Sequence, residues 1–165
     1  MDERGFDEFY QSTRHRVVAF LYAICGDRAD AQDIAQEAYQ RAWQRWSTLC
    51  AYDDPEAWVR KVGYRLSLSR WRQTRNRLTS HRRHGPSSWA EPPSENTVAV
   101  VAALRKLPPD LRLVTTLHHL LDLPVAEVAH QTGTPVNTVK ARLVRARKML
   151  ADLLSTEFSE ELRHA

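Results

Sequence analysis

Apolar residues recur along this chain at intervals of three and four, the helical period, and no stretch alternates with the two-residue period of a strand. A first helix is expected over residues 6–25, with Phe9, Val17, Phe20, Leu21 and Ile24 among its apolar positions, and Gly26-Asp27 breaks it. A second is expected from about 30 to 46 or slightly beyond, because Ile34, Ala35, Ala38, Ala42, Trp46 and Leu49 share a helical spacing. Residues 47–54 read as a loop. Asp54-Pro55-Glu56 then supplies an N-cap, a proline at the first helical position and an acid in the first turn. The helix that follows should run from 55 to about 76. Further helices are expected near 98–107 and 111–121, separated by Pro108-Pro109.

The most explicit pattern lies at 124–150, PVAEVAHQTGTPVNTVKARLVRARKML. Pro124 suits the first turn of a helix whose apolar face is Val125, Val128 and Ala129. Gly133 is expected to end that helix in the left-handed conformation, with Thr134 as the next N-cap and Pro135 at the next first position. Val136, Val139, Leu143, Ala146 and Leu150 form the buried stripe of the second helix, and its other faces carry Lys140, Arg142, Arg145, Arg147 and Lys148. No acid occurs between Glu127 and Asp152. Two helices about a tight glycine turn, the second basic on its outer side, form a helix-turn-helix of the DNA-binding kind. A merely solvated basic helix would carry the charge but would not require Pro, Gly, Thr and Pro in this order.

Charge sharpens the picture elsewhere. The net charge is only +4 over 165 residues, so its distribution matters more than its size. From Ala57 to Ala90 there is no acid, while Arg60, Lys61, Arg65, Arg70, Arg72, Arg75, Arg77, Arg82 and Arg83 are interleaved with Trp58, Tyr64 and Trp71. Cations with aromatic platforms suit single-stranded nucleic acid, where each stacked base gains roughly 1–3 kcal/mol. Trp58 shares a four-residue spacing with Val62 and Leu66 and is expected mainly in the core; Tyr64 and Trp71 are the candidates for stacking.

Proline, glycine and serine in 81–96 mark a flexible linker. The expected fold class is therefore all-α: two small helical domains, 1–80 and 97–154, joined by linker 81–96, the second ending in the helix-turn-helix, with 155–165 a frayed tail. The first residues are acidic and do not resemble a signal peptide, and no apolar run approaches the ~18 residues of a membrane span. A cytoplasmic protein without membrane insertion is expected. Cys25 and Cys50 lack metal-site spacing and are expected as buried thiols rather than a disulfide. His118 and His119 are adjacent and, at ~100° per helical residue, should not face one metal together; no metal or cofactor is expected, and no catalytic set is recognisable.

Three motifs together resemble the extracytoplasmic-function (group IV) sigma factors of bacterial RNA polymerase: DIAQEAYQRAW at 33–43, the basic-aromatic helix from Trp58, and LPPDLR followed by NTVKARLVRAR. The resemblance covers 6 to about 153. It implies a subunit that binds core RNA polymerase and directs transcription initiation at promoters by recognising −35 and −10 elements. It implies that Asp33, Gln36 and Glu37 grip the clamp helices of the largest polymerase subunit. Loop 47–54 and the helix after it would bind and melt the −10 element, the family capturing a flipped base there, through Arg60, Lys61, Tyr64, Arg65, Trp71 and Arg72. The helix from Val136 would enter the −35 major groove, with Lys140, Ala141, Val144 and Arg145 facing bases and Asn137, Thr138, Arg142 and Arg147 serving phosphates or the turn. An anti-sigma factor is an implied partner.

The chain departs from the family pattern at four places. Asn137 stands for the usual Gly, Ala141 for a common Ser, Arg65 for a frequent Asn, and the usual Gly before the helix-turn-helix is absent in LLDLPVAEVA. An autonomous helix-turn-helix regulator is the alternative reading; it leaves DIAQE and the basic-aromatic helix unexplained. A nucleic-acid-processing enzyme would need a convergent set of acids, histidines or metal ligands that the sequence does not present.

Overall fold

The computed structural model describes residues 3–76 and 92–164, and among them every regular element is helical. The chain divides into two compact units, 1–92 and 93–165. Arg77, Arg82 and Arg83, the pair His81 and His84, and most of the linker fall outside the described residues.

In the first unit, α1 (Glu3–Cys25), α2 (Arg28–Gln44) and α4 (Pro55–Asn76) pack against one another, with the single-turn α3 (Trp46–Leu49) closing one end. Val17, Phe20, Leu21 and Ile24 of α1 meet Ile34, Ala35, Ala38 and Ala42 of α2 in the core. Alanine on α2 and Gly63 on α4 permit close helix approach; a Cβ at Gly63 would lie 2.9 Å from Leu21 Cδ2. Tyr39 brings a polar group into this core. Its hydroxyl meets Thr13 Oγ1 at 2.7 Å, and since Thr13 donates to Phe9 O, Tyr39 is the donor of that bond. Burial pushes the Tyr39 phenol well above its ordinary pKa, with the Thr13 bond opposing.

The helix starts follow the sequence. Gly26 has φ 73°, the turn residue between α1 and α2, and Asp27 Oδ1 accepts from Asp30 N at 3.0 Å. Asp54 Oδ1 caps α4 by accepting from Ala57 N at 2.8 Å. The span expected as loop opens instead with α3, because Arg45 (φ −116°) ends α2 and the chain at once re-enters a helical turn that buries Trp46 and Leu49.

The second unit comprises α5 (Glu95–Arg105), α6 (Pro109–Thr115), a π-helical turn (Thr116–Leu120), α7 (Val125–Thr132) and α8 (Val136–His164). Leu104, Leu107, Leu111, Val114, Leu117, Val128, Val139, Leu143 and Ala146 form its core. Arg112 donates to the carbonyls of Leu104, Arg105 and Leu107 at 3.0, 2.9 and 2.9 Å, satisfying the open end of α5.

Two local features hold the helix-turn-helix. Gly133 takes φ 62°, ψ 30°, the left-handed end of α7. Before α7, Asp122 has φ 57°, the conformation a glycine takes most easily; aspartate is among the few other residues that tolerate it. LLDLPVAEVA thus makes a left-handed bend at Asp122 without a glycine, and the His118 Nδ1–H donates across it to Leu123 O at 2.7 Å. The cap of α8 lies one residue later than expected. Pro135 O accepts the first helical bond, from Val139 N at 3.0 Å, while Thr134 Oγ1 turns back to Thr132 O. At its far end α8 does not fray at Ser155 but continues to His164 as one helix of 29 residues.

Candidate nucleic-acid and polymerase interfaces

Each of the three predicted surfaces is built on one helix. On α2, positions 33, 36, 37 and 40 fall on one side, opposite the buried Ile34, Ala35, Ala38 and Ala42. Asp33 and Gln36 are exposed. Glu37 is half-exposed and engaged within its own unit: Arg41 donates to Oε1 at 2.7 Å, and Arg70 of α4 lies 3.7 Å from Oε2. The polar stripe therefore exists as a surface, with its acid already flanked by two cations.

On α4 the buried side is Val59, Gly63 and Ser67. At ~100° per residue, Lys61, Arg65 and Arg72 fall on the opposite side, and all three are exposed. Tyr64, Trp71 and Arg75 form the adjoining stripe. Trp71 is 54% exposed, and the Arg75 guanidinium lies 5.3 Å from its ring centroid, leaving a flat aromatic surface backed by a cation. Tyr64 is half-buried, as is Trp58, which lies closer to solvent than a core residue would. The helix thus brings Lys61, Tyr64, Arg65, Trp71 and Arg72 onto one continuous face.

Arg60 does not belong to that face. It is only 6% exposed, on the inner side of α4, with Nη1 2.9 Å from Glu56 Oε1 and Nη2 3.7 Å from Asp54 Oδ2. A guanidinium so buried and paired is not available to DNA, and the expectation that Arg60 contacts the −10 element is corrected. Glu56 in turn accepts from Arg16 of α1, at 2.7 Å from Nη2 and 3.2–3.3 Å from Nε. The Glu56 bond raises the Arg16 pKa above its already high value. The four groups form one chain, Arg16–Glu56–Arg60–Asp54, tying α1 to the start of α4.

On α8 the buried side is Val139, Leu143 and Ala146, centred opposite Asn137, Ala141, Val144 and Lys148. Those four are exposed, Val144 at 62%. Lys140 and Arg147 flank this face on one side, Thr138 and Arg145 on the other; Arg142 sits farther round, with Nε 3.4 Å from Asp110 Oδ2. All eight predicted positions therefore lie on the outer half of the helix or its margins. Lys148, at the centre of the outer face, was not among them; a helical projection of the same sequence places it there.

Expected thiol burial fails at Cys50, which is exposed beyond α3, whereas Cys25 is half-buried and burial pushes its thiol up. The rings of His118 and His119 stand 4.7 Å apart in the π-helical turn. Among the described residues no three histidine, cysteine or acidic side chains gather as a metal site, and no helix is long and apolar enough to cross a membrane.

Comparison with known proteins gives two family matches in the order of the two units. Residues 9–77 match Sigma-70 region 2, and residues 97–150 match Sigma-70, region 4. The first match ends just past α4, and the second runs from α5 into α8. The chain belongs to the extracytoplasmic-function group of the sigma-70 family. Among curated members, this sigma factor is similar to ECF RNA polymerase sigma factor SigJ of Mycobacterium tuberculosis, 32% identical over 156 residues that cover 84% of this chain and 48% of that protein. It is also 28% identical to SigG of the same organism, over 97% of this chain and 54% of that protein. The chain thus spans about half the length of these relatives. Its fold is shared with the sigma factor RpoE from Bartonella quintana, solved in complex with the anti-sigma factor NepR: TM-score 0.74, 20% identity, 94% of this chain and 98% of that one.

Proposed function

We propose that this sigma factor is a dissociable, non-catalytic subunit that binds core RNA polymerase in the cytoplasm and directs it to promoters with a −35 and a −10 element. The observation that carries the reading is the pair of outward faces just described. One combines cations with an exposed aromatic and suits unpaired bases. The other is a cation-flanked helix face following a glycine turn and suits a major groove. On this reading Lys61, Tyr64, Arg65, Trp71 and Arg72 engage the −10 strand. Lys140, Ala141, Val144 and Arg145 face −35 bases. Asn137, Thr138, Arg142 and Arg147 meet phosphates or hold the turn, and Lys148 joins them. Asp33, Gln36 and Glu37 meet a basic surface of the polymerase, to which Arg41 and Arg70 must yield Glu37. RpoE's complex with NepR supports an anti-sigma factor as a further partner.

The test is transcription of a genomic DNA library by core polymerase with and without the chain. Start sites that depend on the chain and share two upstream elements are expected. Specific duplex binding by the chain alone, with no chain-dependent starts, would instead identify an autonomous regulator.

A further inference from the structure

The π-helical turn brings a titratable ring beside the outer face of α8. His118 is pinned there: its Nδ1–H donates to Leu123 O at 2.7 Å across the left-handed bend at Asp122. Its ring stands 4.7 Å from that of His119, at 68°. His119 is exposed, and its charged neighbour on α8 is Arg147, also exposed, which flanks the outward face. Burial lowers the His119 pKa, and the positive charges of His118 and Arg147 lower it further, with no acid opposing them. The acids of the elements packed against the turn are engaged elsewhere. Asp110 of α6 faces Arg142 at 3.4 Å, and Glu127 of α7 accepts from Gln131 at 2.8 Å. Arg112 of α6 is committed to carbonyls; Asp122 at the bend and His130 on α7 are the remaining titratable groups. Among the described residues no acid pairs with Arg147, and none occurs in the sequence between Glu127 and Asp152. Two basic groups side by side repel each other once both are charged. An anion between them removes that cost and accepts from both.

We infer that His119 and Arg147 hold one backbone phosphate of the duplex between them, and that the chain takes up a proton from solvent at the free ring nitrogen of His119 when it binds, so that −35 binding tightens on acidification. The inference rests on the promoter reading of α8 above. The fold by itself favours the neutral ring. The phosphate brings a negative charge that favours the imidazolium, in which both ring nitrogens are donors. The duplex-bound state therefore carries more protons than the free one, and affinity rises as pH falls through the histidine range. Folding and duplex binding thus respond to acid with opposite signs.

The measurement is fluorescence-anisotropy binding of the full chain, assembled with core polymerase, to the −35 duplex of a start site mapped in the transcription experiment, at fixed salt between pH 5.5 and pH 8. Wild type should bind about tenfold more tightly at the acid end, the change expected when the phosphate raises the ring's pKa by about one. His119→Gln keeps a hydrogen-bonding side chain but cannot charge, and its affinity should vary little with pH. His119→Lys is charged throughout and should bind at pH 8 nearly as tightly as wild type does at pH 5.5. His130→Gln should keep the wild-type pH profile. Melting of the chain without DNA supplies the second readout: acidification should lower the wild-type midpoint while it tightens duplex binding, whereas a histidine serving only the fold would weaken both. If the wild-type complex shows no preference for the −35 duplex at any pH, the promoter reading falls and this inference falls with it. If binding is specific but wild type and His119→Gln share one pH profile, or if His119→Lys binds no more tightly than wild type at pH 8, the proton-linked phosphate contact alone is overturned.

Discussion

The two basic helices, α4 and α8, look alike as strings of arginine and lysine and differ in how those charges are used. In α8, among the described residues, the buried stripe is apolar and the cations stand on the outer half or its margins, Arg142 being drawn toward Asp110 of its own unit. In α4 two of the cations are engaged by acids of their own unit: Arg60 is buried against Glu56 and Asp54, and the half-exposed Arg70 lies beside Glu37. Counting basic residues therefore overstates the outward-facing charge of α4 and is nearly right for α8. It is α4 that also carries the aromatic surface, Trp71 with Arg75 behind it. That division matches two kinds of target: unpaired bases that stack, and a duplex read by charge and hydrogen bonds.

The comparison can be broken first at its most buried point. Arg60→Ala leaves Glu56 with a single guanidinium and opens a space beside Val59, and it should lower the stability of the first unit by about 2–4 kcal/mol. Urea unfolding followed by far-ultraviolet circular dichroism checks this; an unchanged midpoint would mean that Arg60 is no more structural than its α8 counterparts. Arg145→Ala should behave in the opposite way, with stability changed by less than about 0.5 kcal/mol. Binding at the preferred −35 sequence should weaken by roughly 1–3 kcal/mol, with relaxed base preference there. Binding of the full chain with core polymerase to randomised −35 duplexes reads both quantities.

Arg147 sharpens the comparison within α8. It lies two residues and ~200° from Arg145 around the helix, so it cannot face the same bases. Arg147→Ala should weaken all sequences alike and reduce the log–log salt slope by about one. A change in base preference instead would turn the assigned face by half a turn.

The smallest effect concerns His119, whose pKa is lowered by burial and then by the charges of His118 and Arg147. The fold favours the neutral ring, so the unfolded chain binds more protons. The stability this adds is complete above the ordinary histidine range and is lost as pH falls through it. The ring is largely exposed and the loss is correspondingly small. Melting of the wild type and His119→Gln between about pH 5 and pH 8 should show the variant losing less on acidification.

What the sequence disclosed depended on punctuation. Pro55 and Gly133 mark their helix ends unambiguously, and α4 and the turn before α8 lie where those residues require. The short α3 was missed because no glycine or proline separates it from α2; only the backbone of Arg45 does. The extension of α8 through STEFSEEL was missed because serine and threonine favour helix ends. Here Ser155, Thr156 and Ser159 return their hydroxyls to carbonyls four residues back, and Glu157 reaches Lys106 at 2.9 Å. The burial of Arg60 was not legible at all, since Arg16, the residue that completes its charge chain, lies 40 residues before Glu56. The outward faces of α2 and α8 followed from helical periodicity alone. Their assignment to polymerase and promoter rests on the family.

The central claim is that α8 brings the polymerase to duplex DNA and α4 holds the strand once it opens. It is tested most directly by footprinting one chain-dependent promoter with holoenzyme carrying wild type, Trp71→Ala or Arg145→Ala. Nuclease protection reads the bound duplex and permanganate reads unpaired thymines. The account predicts that Trp71→Ala keeps protection over the −35 element while thymine reactivity near −10 falls, and that a pre-melted bubble restores much of the lost activity. Arg145→Ala should lose −35 protection and thymine reactivity together. If Trp71→Ala abolishes −35 protection, or if the bubble leaves its defect unchanged, the division of labour between the two helices is wrong.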